Sequence, residues 1–331
     1  MHYIKQIFFL GLCFVAVSAF AFTGNDDTTY IVRLKRNHNI QFNSWLTDVD
    51  LLVLPRKQAR DLGVKLQPNV KGQAGLAVGF KYITLAFGVQ IPGTESNEKQ
   101  YGKTKYYDFS FGYFKRKFGG EIYYRNFKGM LRKGNDVAGP EIRPDIYVAT
   151  GGVNFFYAAN HKRFSMRSAF SQQEVQKKSA GSFVVLTNFQ FRNLLADSSI
   201  ITPNIDQANT FYEINGLKEM RFITLNIRPG YAHNFVSKDG RWFVSPAVFT
   251  GVGTGWFNTQ SNAGYNAGMP IDWTFHAKTF TGINSPTWFC SLYYSYDGSL
   301  NVFKNSLINL NTHCFGLNVG YRFNNFGVKW L

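Results

Sequence analysis

The chain has 331 residues, with 36 Lys+Arg against 20 Asp+Glu, a formal net charge of +16, and 17% charged beside 17% aromatic residues. So many rings exclude a disordered chain, and the charged share lies below the quarter usual in soluble domains. Three Cys exclude a disulfide scaffold, and 31 Gly without a strict period exclude collagen. What remains is a β-rich chain whose surface need not be highly charged.

Residues 1–21 read as a secretory signal. Lys5 supplies the positive start, Ile7 to Val17 a short apolar stretch, and Ala19-Phe20-Ala21 the small residues at the two positions that direct cleavage. Cys13 follows Leu12, not a small residue, which argues against lipidation. Beyond the predicted cleavage after Ala21 no run reaches the length of a transmembrane helix. Asn25-Asp26-Asp27 lacks the spaced oxygens of a calcium loop and reads as a solvated leader. Residues 22–60 are a leader or a first strand region, and 61–331 are the expected barrel.

From there one pattern repeats: apolar and polar residues alternate with period two, the mark of strands with unlike faces. The predicted strands fall near 62–70, 83–91, 107–113, 118–128, 145–158, 163–171, 182–195, 223–231, 241–257, 271–277, 287–298 and 312–323. In the last, Phe315, Leu317, Val319, Tyr321 and Phe323 oppose Cys314, Gly316, Asn318, Gly320 and Arg322. A soluble sandwich would bury the apolar face, whereas an outer-membrane barrel turns it to lipid. Strand length favours the barrel, because several segments exceed the 5–6 or so residues usual in soluble sheets. Trp242 and Trp256 share a face, and fourteen residues at about 3.3 Å each and a tilt near 40° separate them by about 35 Å, suited to two interfacial girdles. Trp273 and Trp288 are assigned to the same girdles. The fold predicted is all-β, an antiparallel transmembrane β-barrel of about twelve strands (10–14) in the cell outer membrane.

Two blocks carry a family resemblance: Tyr157-Ala158-Ala159-Asn160-His161-Lys162-Arg163-Phe164-Ser165, and Gln176-Lys177-Lys178-Ser179-Ala180-Gly181-Ser182-Phe183, with Tyr123-Tyr124 and Phe127-Lys128-Gly129 as a third, weaker one. They resemble an exported family, domain of unknown function 4421. The resemblance implies an outer-membrane β-barrel with no settled activity, and it supplies no catalytic residue.

Candidate chemistry is thin. No GxSxG, HExxH or P-loop pattern occurs, and His38, His161, His233, His276 and His313 are scattered singly. His276 shares a face with Thr274 and Lys278 and reads as a polar lumen residue; Ser179 and Ser182 read as a hairpin end. No catalytic residue, metal site or cofactor is assigned. Cys290 and Cys314 fall on opposite faces in a hairpin centred on residue 302, and both are expected to be free thiols. Lumen-parity cations are Arg125, Arg163, Arg167, Arg192, Arg228, Lys278 and Arg322, against Asp108, Glu121 and Asp272, which implies a positive interior that is either an anion-favouring pore or a salt-bridged seal. The turn charges Lys115-Arg116-Lys117 and Lys177-Lys178 could meet lipid phosphates, those of lipopolysaccharide among them. Export and the lack of a nucleic-acid motif exclude a nucleic-acid partner. The readings left open are a structural or pore-like barrel, a lipid-modifying enzyme, and an adhesion or assembly partner acting through loops such as 196–217.

Overall fold

Among the described residues, alternation along the chain becomes sixteen strands and two short helices. A computed structural model describes residues 27–36, 38–55, 63–94, 97–134, 139–201, 214, 216–261, 264–303 and 306–324. In chain order the first half holds β1 (Ile31–Arg33), β2 (His38–Pro55), β3 (Val64–Gln67), β4 (Gly72–Phe80), β5 (Ile83–Gln90), α1 (Glu98–Tyr101), β6 (Lys105–Phe114), β7 (Phe118–Gly134) and β8 (Glu141–Ala158). The second holds α2 (Met166–Phe170), β9 (Glu174–Gln176), β10 (Ala180–Leu195), β11 (Glu219–Val236), β12 (Trp242–Ser261), β13 (Gly264–Gly268), β14 (Ile271–Asn284), β15 (Trp288–Val302) and β16 (Ser306–Phe323).

Twelve of these, β2, β4 to β8, β10 to β12 and β14 to β16, form a closed antiparallel ring in chain order, and β16 returns to β2 from Ser306↔Pro55 to Phe323↔His38. Closure leaves no free sheet edge, the condition for strands to stand in lipid. Strands β2 and β7 outreach β4, β5 and β6, and β3 bridges the gap by pairing with both. A bulge between Lys128 and Met130 shifts the β7 register there. Gly129 holds φ 90° in it, and an added Cβ would lie 2.2 Å from the Lys103 carbonyl oxygen, so the position demands glycine.

The outer face is apolar along its length and, among the described residues, no second sheet covers it: Leu225 is 51% exposed and Trp256 66%. A soluble sandwich buries such a face, so this sheet is a transmembrane barrel. Trp242 and Trp288 begin their strands at the end where the ring starts and finishes (the terminus side), while Trp256 and Trp273 lie toward the opposite, loop side. All four face outward.

Expected and observed strands agree in number for a reason the alternation hides. Segment 62–70 yields only β3, and 163–171 is not a strand but contains α2, capped by Ser165, whose hydroxyl accepts from the Ser168 amide. Strands β2 and β4 make up the difference, β2 from residues read as leader or first strand. In β4, Gly72, Ala74, Gly75, Ala77 and Gly79 blur the period. In β2, Ile40, Phe42 and Leu46 face outward, but Val49, Leu51 and Val53 are buried. The apolar face switches sides because the loop-side interior is an apolar cluster, so no single period spans the strand. The signal segment 1–21 lies outside the described residues.

Candidate functional site

The interior is filled from both ends. On the loop side Val49, Leu51, Val53, Leu66, Phe127, Ile146 and Phe222 pack with Ile200, Ile201, Ile214 and Leu217 from the β10–β11 loop. Arg132, fully buried, donates from Nε to the Ile200 carbonyl oxygen (2.8 Å) and fastens that loop. On the terminus side the β8–β10 connection, residues 159–179, folds back into the mouth as α2 and β9, with β1 paired to β9. Phe164, Met166 and Ala169 join Phe156, Leu186 and Phe249 of the wall in a second apolar cluster.

Glu174 is the centre of this plug. It is 1% exposed, and Arg116 Nε donates to both its oxygens (3.2 and 3.1 Å), Arg167 Nη1 to Oε1 (2.9 Å) and Ser165 Oγ to Oε2 (2.6 Å). Burial pushes the Arg167 guanidinium below its usual value, and Glu174 opposes that fall. Asn284 Nδ2 of β14 donates to the Glu174 carbonyl oxygen (3.0 Å). Arg322 of β16, 1% exposed, donates to Asn284 Oδ1 (2.7 Å) and to the carbonyl oxygens of Ser285 and Gln172. Asn234 Nδ2 of β11 donates to the Ser165 carbonyl oxygen and to Gln176 Oε1 (both 3.1 Å), and Gln173 Nε2 to Thr84 Oγ1 of β5 (3.0 Å). Partners on β5, β11, β14 and β16 surround the mouth, so the plug spans it.

The two sequence blocks flanking the plug bond to each other. The Asn160 amide donates to Ser182 Oγ (2.9 Å) and Asn160 Nδ2 to the Gly181 carbonyl oxygen (2.8 Å), while the Ser165 amide donates to Gln176 Oε1 (3.0 Å). Lys177 donates its amide to the Tyr30 carbonyl oxygen (2.7 Å), Lys178 Nζ lies 5.5 Å from the centre of the Tyr30 ring, Ser179 Oγ accepts from the Val236 amide (3.0 Å), and Ala180 is buried at the start of β10.

Between the plugs lies a polar middle. Arg125 Nε donates to Asp108 Oδ2 (2.7 Å), and Arg228 Nη1 to Asp297 Oδ2 (3.1 Å), which His276 Nδ1 also meets at 2.9 Å. Arg192 Nη2 donates to Ser299 Oγ (3.0 Å), and Lys278 Nζ sits 3.7 Å from the centre of the Phe170 ring. Asn154, Asn188 and Asn226 are successive partners on β8, β10 and β11, and the row continues through Gly253 to Asp272 and Asn301. An added Cβ at Gly253 would lie 1.9 Å from Asn226 Oδ1, so the Asn226 side chain occupies that space.

This arrangement corrects the charge reading. Arg163 and Arg167 are on no strand: Arg163 is exposed near Asp27 (3.8 Å), and Arg167 belongs to the plug, as Arg322 does through its bonds. The mid-lumen charges are Arg125, Arg192, Arg228 and Lys278 with Asp108, Glu121, Asp272 and Asp297, a balanced set. Glu174, Asp297 and Asn284 escaped the sequence reading; the one usable sign was Glu174, the single acid of the basic stretch 159–179. The register corrects the cysteine hairpin too: Cys290 faces Val319 and Cys314 faces Ser295, so no turn centres on 302, and both thiols are free. Among the described residues no three His, Cys, Asp or Glu side chains gather as a metal would require.

A family model described as a domain of unknown function (DUF4421) matches residues 25–323. The chain belongs to that family. No curated protein matches it. Solved structures resembling it in outline include the outer membrane protease OmpT of Escherichia coli, at 8% identity and a TM-score of 0.43, covering 92% of this chain and 100% of that one. The OmpT of Vibrio cholerae follows at 8% and 0.35, covering 87% and 98%. The toluene transporter TodX of P. putida gives 9% and 0.28, covering 87% and 90%. Likeness this distant transfers no site to the DUF4421 chain, whose interior is described by its own plug and ion pairs.

Proposed function

We propose that this DUF4421 protein is a sealed outer-membrane barrel with a structural role, and not a diffusion pore. The observation that carries the reading is the mouth plug: a buried carboxylate, Glu174, between two buried guanidinium groups, strapped by Arg322. Breaking such a buried pair from one side costs about 3–5 kcal/mol, so the plug stays in place at rest. The loop-side apolar cluster closes the other end, and a balanced middle offers no field to draw anions through. Placement in the outer membrane is supported by an even strand number and by both ends of the ring lying on one side.

We hold the barrel to be non-enzymatic. His276 is bonded to Asp297, whose other partner is Arg228, and no hydroxyl or thiol bonds to the imidazole among the described residues. The constellation is an ion-paired brace without the nucleophile that acyl transfer needs. What the protein does would then be carried by its loops and rims. Planar-bilayer recording of the refolded chain tests the seal. Silence from a heat-modifiable, folded barrel is expected; steady anion-preferring current from the wild-type chain would overturn the reading.

A further inference from the structure

Segment 27–36 precedes the barrel ring and runs from the wall to the plug. At its base Arg36 Nη1 donates to Thr287 Oγ1 of the β14–β15 turn (3.1 Å), and the ring begins at His38. Farther out, β1 pairs antiparallel with β9 of the plug, Ile31↔Gln176, Val32↔Val175 and Arg33↔Glu174, and with no other strand among the described residues. The Lys177 amide donates to the Tyr30 carbonyl oxygen (2.7 Å). Residues 30 and 177 are therefore a hydrogen-bonded pair, and Val32 with Val175 is the next one along. Ile31 is fully buried. Arg163 and Lys178, from opposite ends of the plug connection, lie 5.2 and 5.5 Å from the centre of the Tyr30 ring, and Arg163 Nε lies 3.8 Å from Asp27 Oδ2. The strand that β1 holds is the one bearing Glu174 and Gln176, through which the plug meets Arg116, Arg167 and Asn234.

We infer that segment 27–36 is a releasable latch: β1 on β9 holds the plug in the mouth, and drawing the segment away from the barrel loosens it. Strand β9 is three residues long and β1 is its one ladder partner, so without β1 the pairing that fixes Glu174 between two guanidinium groups is lost. The latch is built to peel. Its free end is the Asp27 end, and its base is fastened to the wall by Arg36. Tension directed out of the mouth therefore breaks the pairs one at a time, Ile31 from Gln176 first and Arg33 from Glu174 last. The plug's bonds to Thr84, Asn234, Asn284 and Arg322 lie on the wall and take no part in that step. Release of β1 thus precedes release of the plug, and it is controlled from the side on which the chain enters the barrel. The inference rests on the plug closing the mouth, as proposed above.

Hydrogen exchange of the vesicle-embedded chain, read at 166–176 by mass spectrometry, tests the latch. Deleting residues 27–33 should speed exchange there by about tenfold or more, since a buried isoleucine and the ladder go together, while β10 and β11 stay protected. Val32→Pro removes one ladder donor, keeps the rest of the segment, and should give the same change in smaller measure. Val32→Cys with Val175→Cys joins register partners at a separation that suits a disulfide. Oxidised, this pair should slow exchange at 166–176 below the wild type, and reduction should restore it. Exchange that stays within about twofold of the wild type in the deleted chain, or under the crosslink, would refute the latch, because the wall contacts alone would then hold the plug. Loss of protection in β10 and β11 as well would make the segment part of the ring and refute it equally. Conductance of the wild-type chain decides the seal separately: a conducting barrel sinks that reading, while the exchange result still decides what β1 holds.

Discussion

Consider Glu174→Gln. The change keeps the side chain's shape and removes one negative charge from between Arg116 and Arg167, both nine-tenths buried. Removing one partner of a buried pair costs about 3–5 kcal/mol, because the remaining charge is stranded in a poor solvent. The barrel ladder does not run through Glu174, which pairs only with Arg33 of β1, so the cost falls on the plug and not on the ring. Local opening of the plug should rise by roughly two to three and a half powers of ten, at 1.4 kcal/mol for each tenfold. Hydrogen exchange of the amides at 166–176, read by mass spectrometry in vesicles, should show that loss of protection while β10 and β11 stay protected. Bilayer recordings should show intermittent steps absent from the wild type. Adding Arg116→Met should recover part of the protection, since it removes one of the two cations that met the Glu174 charge. If exchange at 166–176 changes by less than about fivefold, equal to about 1 kcal/mol, Glu174 is not the anchor and the electrostatic account of the plug fails.

Other outcomes follow from the same geometry. Arg322→Lys should loosen the plug nearly as much as Arg322→Met, because one ammonium cannot serve Asn284 and the Ser285 and Gln172 carbonyl oxygens with a planar fork; exchange at 166–176 reads this too. Gly253→Ala should destabilise the barrel by about 1–3 kcal/mol, since its Cβ would lie 1.9 Å from Asn226 Oδ1 and 2.4 Å from the Leu225 carbonyl oxygen; urea unfolding in vesicles measures it. Lipids brominated near the headgroup should quench the fluorescence of Trp242, Trp256, Trp273 and Trp288 more than lipids brominated at the chain end, and the reverse order would displace the girdles. The intact mass of the chain under non-reducing conditions should show no loss of two hydrogens, because Cys290 and Cys314 are not paired.

Legibility followed burial. Where a strand has lipid outside and polar residues inside, the period of two states its face directly, as along β10, β11 and β16, and the shared outward face of Trp242 and Trp256 was legible from their spacing. Where the interior changes character along one strand, the period breaks. Strand β2 turns its apolar residues out below Leu46 and in above Val49, so it resembled a leader. The segment Phe164-Ser165-Met166-Arg167-Ser168 alternates like a strand, yet these residues pack into a plug whose neighbours are distant in sequence. Parity also placed Arg163 and Arg167 in the lumen wall, since nothing local distinguishes a strand from a short helix folded into the mouth.

Composition and alternation were enough to determine an all-β chain in a closed membrane barrel, because each residue's face depends on the solvent it meets and lipid and water sort side chains one by one. The contacts that fill its mouth exist only in the tertiary structure. Glu174 meets Arg116 across 58 positions, and Arg322 reaches Gln172 across 150. The worth of a buried charge depends on the partner that folding brings to it, and no local pattern along the chain records that meeting.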